Sequence, residues 1–191
     1  TLFYQYRDNR LGRLSYTDSS GVSVVMWYNF KFHQTLGLEN FANYKFNKWL
    51  KANASLTLYQ TWVDASDFRD AYVTDYFGYD AKVNLQFSLS KKTSANITGT
   101  YNSERQAVVG PLIPRYASDM AIKHKVLKDK GAISIRYSDV FRTRRFGIDV
   151  LTDGWVREVR YRGEWSLIWV GFNYNFGQST FKKNTGFSKP S

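Results

Sequence analysis

From Phe77 to Leu89 the odd positions read Phe, Tyr, Ala, Val, Leu, Phe, Leu, and the even ones Gly, Asp, Lys, Asn, Gln, Ser. A period of two puts successive side chains on opposite faces, so this stretch predicts a strand with one apolar and one polar face. The pattern recurs along the chain. Its apolar sets are Leu2, Tyr4, Tyr6; Val24, Met26, Tyr28, Phe30, Phe32; Ala52, Ala54, Leu56, Leu58, Trp62; and Ala95, Ile97, Tyr101. Met120 and Ile122, then Ile133, Ile135 and Tyr137, then Ile168, Val170, Phe172, Tyr174 and Phe176 complete the series. The reading predicts about eight strands, mostly of about 12–16 residues or longer, where ordinary strands average ~5–6. Proline is absent before Pro111, as uninterrupted ladders require.

The connections alternate as well. Three are tight, near 47–49, 90–93 and 127–131. Between them lie longer irregular stretches at about 8–21, 64–75, 103–115 and 141–163. Long strands with turns at one end and loops at the other fit a bilayer-spanning barrel. Hydrocarbon offers no partner to a backbone N–H or C=O, so a sheet crosses it only when closed. No apolar run approaches the ~18–20 residues of a spanning helix. The expected fold is therefore all-β, an antiparallel transmembrane β-barrel over 1–177, followed by a polar, basic, periplasmic tail over 178–191. A soluble sandwich or lipocalin-like barrel would also alternate, but with shorter strands and less regular connections.

On this reading Phe77, Val83, Leu85, Phe87, Ile97, Ile133, Ile135, Val170 and Phe172 face lipid. Asp80, Lys82, Asn84, Gln86, Asn96, Thr98, Lys123 and Arg136 face the lumen. Aromatics make up 18% of the 191 residues, and several sit near strand ends, as interfacial girdles do: Phe46 and Trp49, Phe77, Tyr79 and Phe87, Tyr174 and Phe176.

The net charge of +11 raises nucleic acid as a partner. The aromatics lie mostly opposite the charges, however, and many lysines cluster at turns, so no nucleic-acid partner is expected. Cysteine is absent, which excludes thiol chemistry and disulfides. The two histidines, His33 and His124, have no catalytic signature around them, and His124 falls on the apolar set near a turn. Asp64, Asp67, Asp70 and Asp75 lack calcium-loop spacing. No catalytic residue, cofactor or metal is expected, and the chain is read as a non-enzyme. Six arginines, Arg142, Arg144, Arg145, Arg157, Arg160 and Arg162, mark 141–163. They suit a charged hairpin extension, or a basic surface that meets lipopolysaccharide or an anionic substrate. The sequons at Asn53 and Asn96 fall inside strands and carry no signal.

The closing stretch "WSLIWVGFNYNFG" resembles the last strand of Gram-negative outer-membrane barrels, with Phe176 as the terminal aromatic of the assembly signal. "LKDKGAISIRYSDVFRTRRFG" resembles an element of TonB-dependent-receptor-like barrels, in which a late strand runs into an Asp-x-Phe-Asn-Thr-Arg motif. Asp139, Phe141, Thr143 and Arg144 match it, and Arg142 replaces Asn. "TLGLENFANYKFNKWLKANASLTLY" is similar too, with Gly37 and Glu39 ahead of a hairpin. The resemblance spans nearly the whole chain. It implies a 22-stranded barrel with a plug, placed in the outer membrane of a Gram-negative bacterium and importing a nutrient with energy from TonB. This chain would be the C-terminal portion, with TonB engaged through a plug it does not contain. Implied partners are outer-membrane lipid and lipopolysaccharide, the barrel-assembly machinery, and a surface lipoprotein or envelope-complex protein. Two alternatives are a complete eight-stranded structural or adhesive barrel, and a barrel subunit of a secretion or assembly complex.

Overall fold

The computed structural model describes residues 1–17, 20–64, 66, 73–107, 110–152 and 155–176. They form strands and no helix. β1 (Leu2–Thr17), β2 (Ser23–Lys45), β3 (Leu50–Asp64), β4 (Val73–Ser88) and β5 (Thr93–Asn102) follow one another as an antiparallel meander. After β6 (Arg105–Ala107) and β7 (Gly110–Leu112), the meander resumes with β8 (Arg115–Val126) and β9 (Gly131–Tyr137). β10 (Phe146–Thr152) and β11 (Trp155–Tyr161) form a hairpin before β12 (Ile168–Tyr174). The main sheet has eight strands in the order β1-β2-β3-β4-β5-β8-β9-β12; a second, smaller sheet runs β11-β10-β7-β6. Among the described residues β1 and β12 do not pair, so the eight-stranded sheet is an open wall.

The short turns explain themselves. Asn47 Oδ1 accepts the N–H groups of Trp49 (2.9 Å) and Leu50 (2.8 Å). Ser90 Oγ does the same for Lys92 (3.1 Å) and Thr93 (3.0 Å). Asn and Ser close such turns because their side chains imitate a turn carbonyl. The third turn places Leu127, Lys128 and Asp129 at positive φ.

Several expectations need correction. The stretch 8–21 is not a loop, because β1 continues to Thr17 and β2 begins at Ser23. The stretch 103–115 holds β6 and β7, and 141–163 holds β10 and β11. Part of 64–75 and the tail after Phe176 lie outside the described residues. Strand lengths are also uneven: β2 has 23 residues, whereas β9 and β12 have seven each.

Facing residues of an antiparallel pair share a face, so the register assigns every side chain. Leu85 pairs with Ala52 and Ile97; Gln86 pairs with Lys51 and Asn96. Ile122 pairs with Ile135, and Ile135 with Val170. In the main sheet the two sets stay largely apart from β3 to β12, with Tyr59, Val63 and Trp169 on the polar face and Gln60 and Asp75 on the apolar one. β1 and β2 break the rule near Asn9, which has a φ of 48°. Arg7 pairs with His33 and Arg10 with Phe30, yet all four line one cavity. Both strands swap faces together there without a change of register. Phe30 thus leaves the apolar outer set and is buried.

Candidate functional site on the inner face

A cavity of about 560 Å³ lies against the face that carries Asp80. β1 to β4 form its wall, and β6 and β7 close over it with Arg105 and Leu112. Glycines let the wall pack closely. The ring of Tyr59 on β3 covers Gly78 on β4, where an added Cβ would meet ring atoms at 2.6 Å. The rings of Phe3 and Phe30 cover Gly37 and Gly12 in the same way. An aromatic laid over a cross-strand glycine fills the gap left by the missing side chain and fixes register.

Charge in the cavity is one-sided. Arg7, Arg10 and Arg105 line it against a single carboxylate, Asp80. Asp80 is already engaged. Arg105 Nη2 donates to Asp80 Oδ2 at 2.7 Å and to Oδ1 at 2.9 Å, and Asn102 Nδ2 donates to Oδ1 at 2.8 Å. Arg7 and Arg10 have no ion pair among the described residues. Two further buried atoms of lining residues, His33 Nδ1 and Arg105 Nε, have no hydrogen-bond partner among the described residues. A buried polar group without a partner is costly, so these atoms call for water or a bound solute.

Towards the short turns the inner face is a polar ladder. Gln86 Nε2 donates to Asn84 Oδ1 (3.1 Å), and Asn84 Nδ2 to Thr98 Oγ1 (2.7 Å). Nearer the loop end, Arg136 and Arg144 both donate to Asp119, at 3.0 Å and 3.3 Å. Asn96, Lys82 and Lys123 share that face by register. Asp80 and Asp119 therefore take arginine partners.

The Asp-x-Phe motif forms a knot at the loop end of β9. Asp139, 3% exposed and at a φ of 46°, donates its N–H to Asp119 Oδ1 at 2.8 Å. Its own carboxylate accepts the N–H of Thr143 at 2.9 Å and that of Arg144 at 3.1 Å. In the β10–β11 hairpin Arg160 pairs across the strands with Asp149 and, at 3.5 Å, with Glu158 on its own strand. Asp149 raises the Arg160 pKa above its ordinary value. Sequence reasoning missed the cavity's Arg7, Arg10 and Tyr59. The only available signal was the run of charges in "YRDNRLGR", which resembles a loop.

The other face carries Phe77, Val83, Leu85, Phe87, Ile97, Ile133, Ile135, Val170 and Phe172 together, and many of these are exposed. His124 is there too, 2.9 Å from Thr93 Oγ1. Rings cluster at both ends. Trp49 stacks on Phe87 at 6.1 Å near the short turns, and Tyr79 on Tyr101 at 5.4 Å near the loops. β12 ends at Tyr174, with one further ladder bond at Asn175; Phe176 packs edge-on to Tyr174 at 4.6 Å and is 88% exposed. Asp64 accepts the Ser66 N–H at 2.8 Å, and these Ser66 hydrogen bonds hold its carboxyl below the ordinary range. Asp75 accepts from Gln60 Nε2 at 3.1 Å, and Asp67 and Asp70 lie outside the described residues. No metal-binding group of acids and histidines occurs among the described residues.

Compared with known families, residues 1–174 match the model of the Outer membrane protein beta-barrel family. The chain belongs to that family. It is an outer-membrane β-barrel protein of the Gram-negative envelope, and its open wall is a partial barrel. Comparisons with curated proteins and with solved structures give no match.

Proposed function

We propose that this chain is the wall of a TonB-dependent-receptor-like transporter that takes up an anionic solute across the outer membrane. The outer, apolar face meets acyl chains, and the inner, polar face lines the passage. The observation that carries this reading is the inner-face cavity, where among the described residues Arg7 and Arg10 have no ion pair and the buried His33 Nδ1 and Arg105 Nε have no partner. Both edges of the wall, β1 and β12, stand ready for further strands, which supports a barrel larger than eight. Strand length agrees. β2 has 23 residues; at about 3.3 Å each and the usual tilt of about 40°, it rises roughly 55–60 Å, about twice the ~25 Å apolar band of an outer-membrane barrel. The cavity end of the wall then projects beyond the membrane, where a solute arrives first. Passage needs no chemical step here, so selectivity rests on binding.

The test is uptake by intact cells with and without the gene, over a panel of labelled organic anions and matched neutral solutes. The reading expects at least one anion whose accumulation needs the gene and stops when the proton-motive force is collapsed. Gene-independent uptake across the panel would refute transport. Uptake that ignores the proton-motive force would refute the TonB-dependent mechanism.

A further inference from the structure

Near the loop end of the outer face, an apolar groove and a basic cleft share a wall. The groove, about 440 Å³, is lined by Ala81, Val83, Gly99, Tyr101, Tyr116 and Phe141. Its floor is open because the residues there are small. Val83 faces Gly99 directly, and a Cβ added to Gly99 would meet nothing within 4 Å. Phe141, 69% exposed, follows the Asp139 knot and lines the same groove. The adjoining cleft, about 400 Å³, is lined by Arg142, Arg145, Arg160 and Arg162. Tyr116 and Thr143 belong to both spaces.

The charges in the cleft are unbalanced. Arg160 is taken by Asp149 and Glu158. Arg142, Arg145 and Arg162 are exposed and have no ion pair among the described residues. Arg162 Nη2 donates to the Arg142 carbonyl at 2.6 Å, which holds these two residues together. Three guanidinium groups without an ion pair, beside an apolar slot, complement one kind of partner: an anion with a hydrocarbon chain. Guanidinium binds phosphate through paired, charge-assisted hydrogen bonds.

Depth agrees. From Phe87 to Tyr79 β4 covers nine residues, which matches the ~9–11 residues that a tilted strand needs to cross an outer membrane. Tyr79 stacks on Tyr101, and Tyr101 pairs with Tyr116. The groove therefore opens at the upper edge of the band, with the arginines at headgroup level. In outer-membrane barrels the longer connections lie on the extracellular side, so this is the outer leaflet.

We infer that groove and cleft form one site for a phosphorylated acyl lipid of the outer leaflet. Its phosphate sits on Arg142, Arg145 and Arg162, and one acyl chain runs along Val83 and Gly99 beneath Phe141. The inference depends on the outer face meeting lipid and is independent of transport.

The full-length protein in detergent, titrated with bisphosphorylated lipid A and followed by native mass spectrometry, tests it. One lipid should bind saturably, and lipid A stripped of phosphate at least about tenfold more weakly. The triple variant Arg142→Gln, Arg145→Gln, Arg162→Gln should lose at least about tenfold in affinity. Gly99→Leu, whose Cβ meets nothing within 4 Å and whose branch enters the groove, should weaken binding as well. Lys91→Gln with Lys92→Gln, at the opposite rim, should not. Heat-modifiable gel mobility confirms that each variant is folded. Unchanged affinity in either the arginine variant or Gly99→Leu overturns the site. So does equal binding of the dephosphorylated lipid, or full competition by millimolar inorganic phosphate.

Discussion

Arg105 on β6 holds both carboxylate oxygens of Asp80 on β4, at 2.7 Å and 2.9 Å. This fork joins the small sheet to the wall and sets the lid of the inner-face cavity. Each side chain is about a third exposed (32% and 31%), so solvent screens the pair. A double-mutant cycle with Arg105→Ala and Asp80→Ala should give a coupling of about 1 kcal/mol, read from heat-modifiable mobility of the full-length protein. A coupling near zero would mean that the pair does not hold the lid.

The Asp139 knot should matter more. Asp139 is almost fully buried, satisfies two backbone N–H groups, and adopts a left-handed conformation that Asp and Asn tolerate better than most residues. Asp139→Ala should cost about 2–3 kcal/mol by leaving those donors unpaired and straining the backbone. Asp139→Asn keeps an acceptor and the tolerated φ, and should cost less than half as much. Equal losses in the two variants would show that the carboxylate's hydrogen bonds are not what matters.

The ring of Tyr59 against Gly78 gives a third prediction. Gly78→Ala drives a Cβ into the ring, and overpacking of this kind costs about 1–3 kcal/mol. Tyr59→Ala leaves a gap at the same place. The double variant should be more stable than the sum of the two single losses implies, because the clash requires both partners. Strict additivity would deny the contact.

The faces of β3, β4, β5, β8, β9 and β12 were legible because a period of two survives wherever one side is uniformly apolar. Hence Leu85 and Ile97, or Ile122 and Ile135, face each other where alternation put them. The loop end of β1 was not legible. "YRDNRLGR" is charged on both faces, and Asn9 marks a swap of faces, so alternation fails there although the ladder continues. β6 and β7 have three residues each, too few for a period to register. The cavity escaped for the same reason. Arg7, Phe30, Tyr59 and Arg105 are far apart in sequence, and only strand register and a crossing lid bring them together. Asp139 and Phe141 stood out as a motif, but the capping role of Asp139 depends on a backbone angle that spacing does not reveal.

The central claim is that the side of the wall bearing Leu85 meets hydrocarbon and the side bearing Gln86 meets an enclosed polar interior. These residues are neighbours on β4, so exchanging either for arginine changes the same strand by the same group. Arginine on a lipid face costs about 2–4 kcal/mol at mid-bilayer and less towards either interface, and Leu85 lies between the two. Quantifying folded full-length protein in outer-membrane fractions should show Leu85→Arg severely depleted and Gln86→Arg near the wild-type level. Equal yields, or a greater loss for Gln86→Arg, would contradict the account.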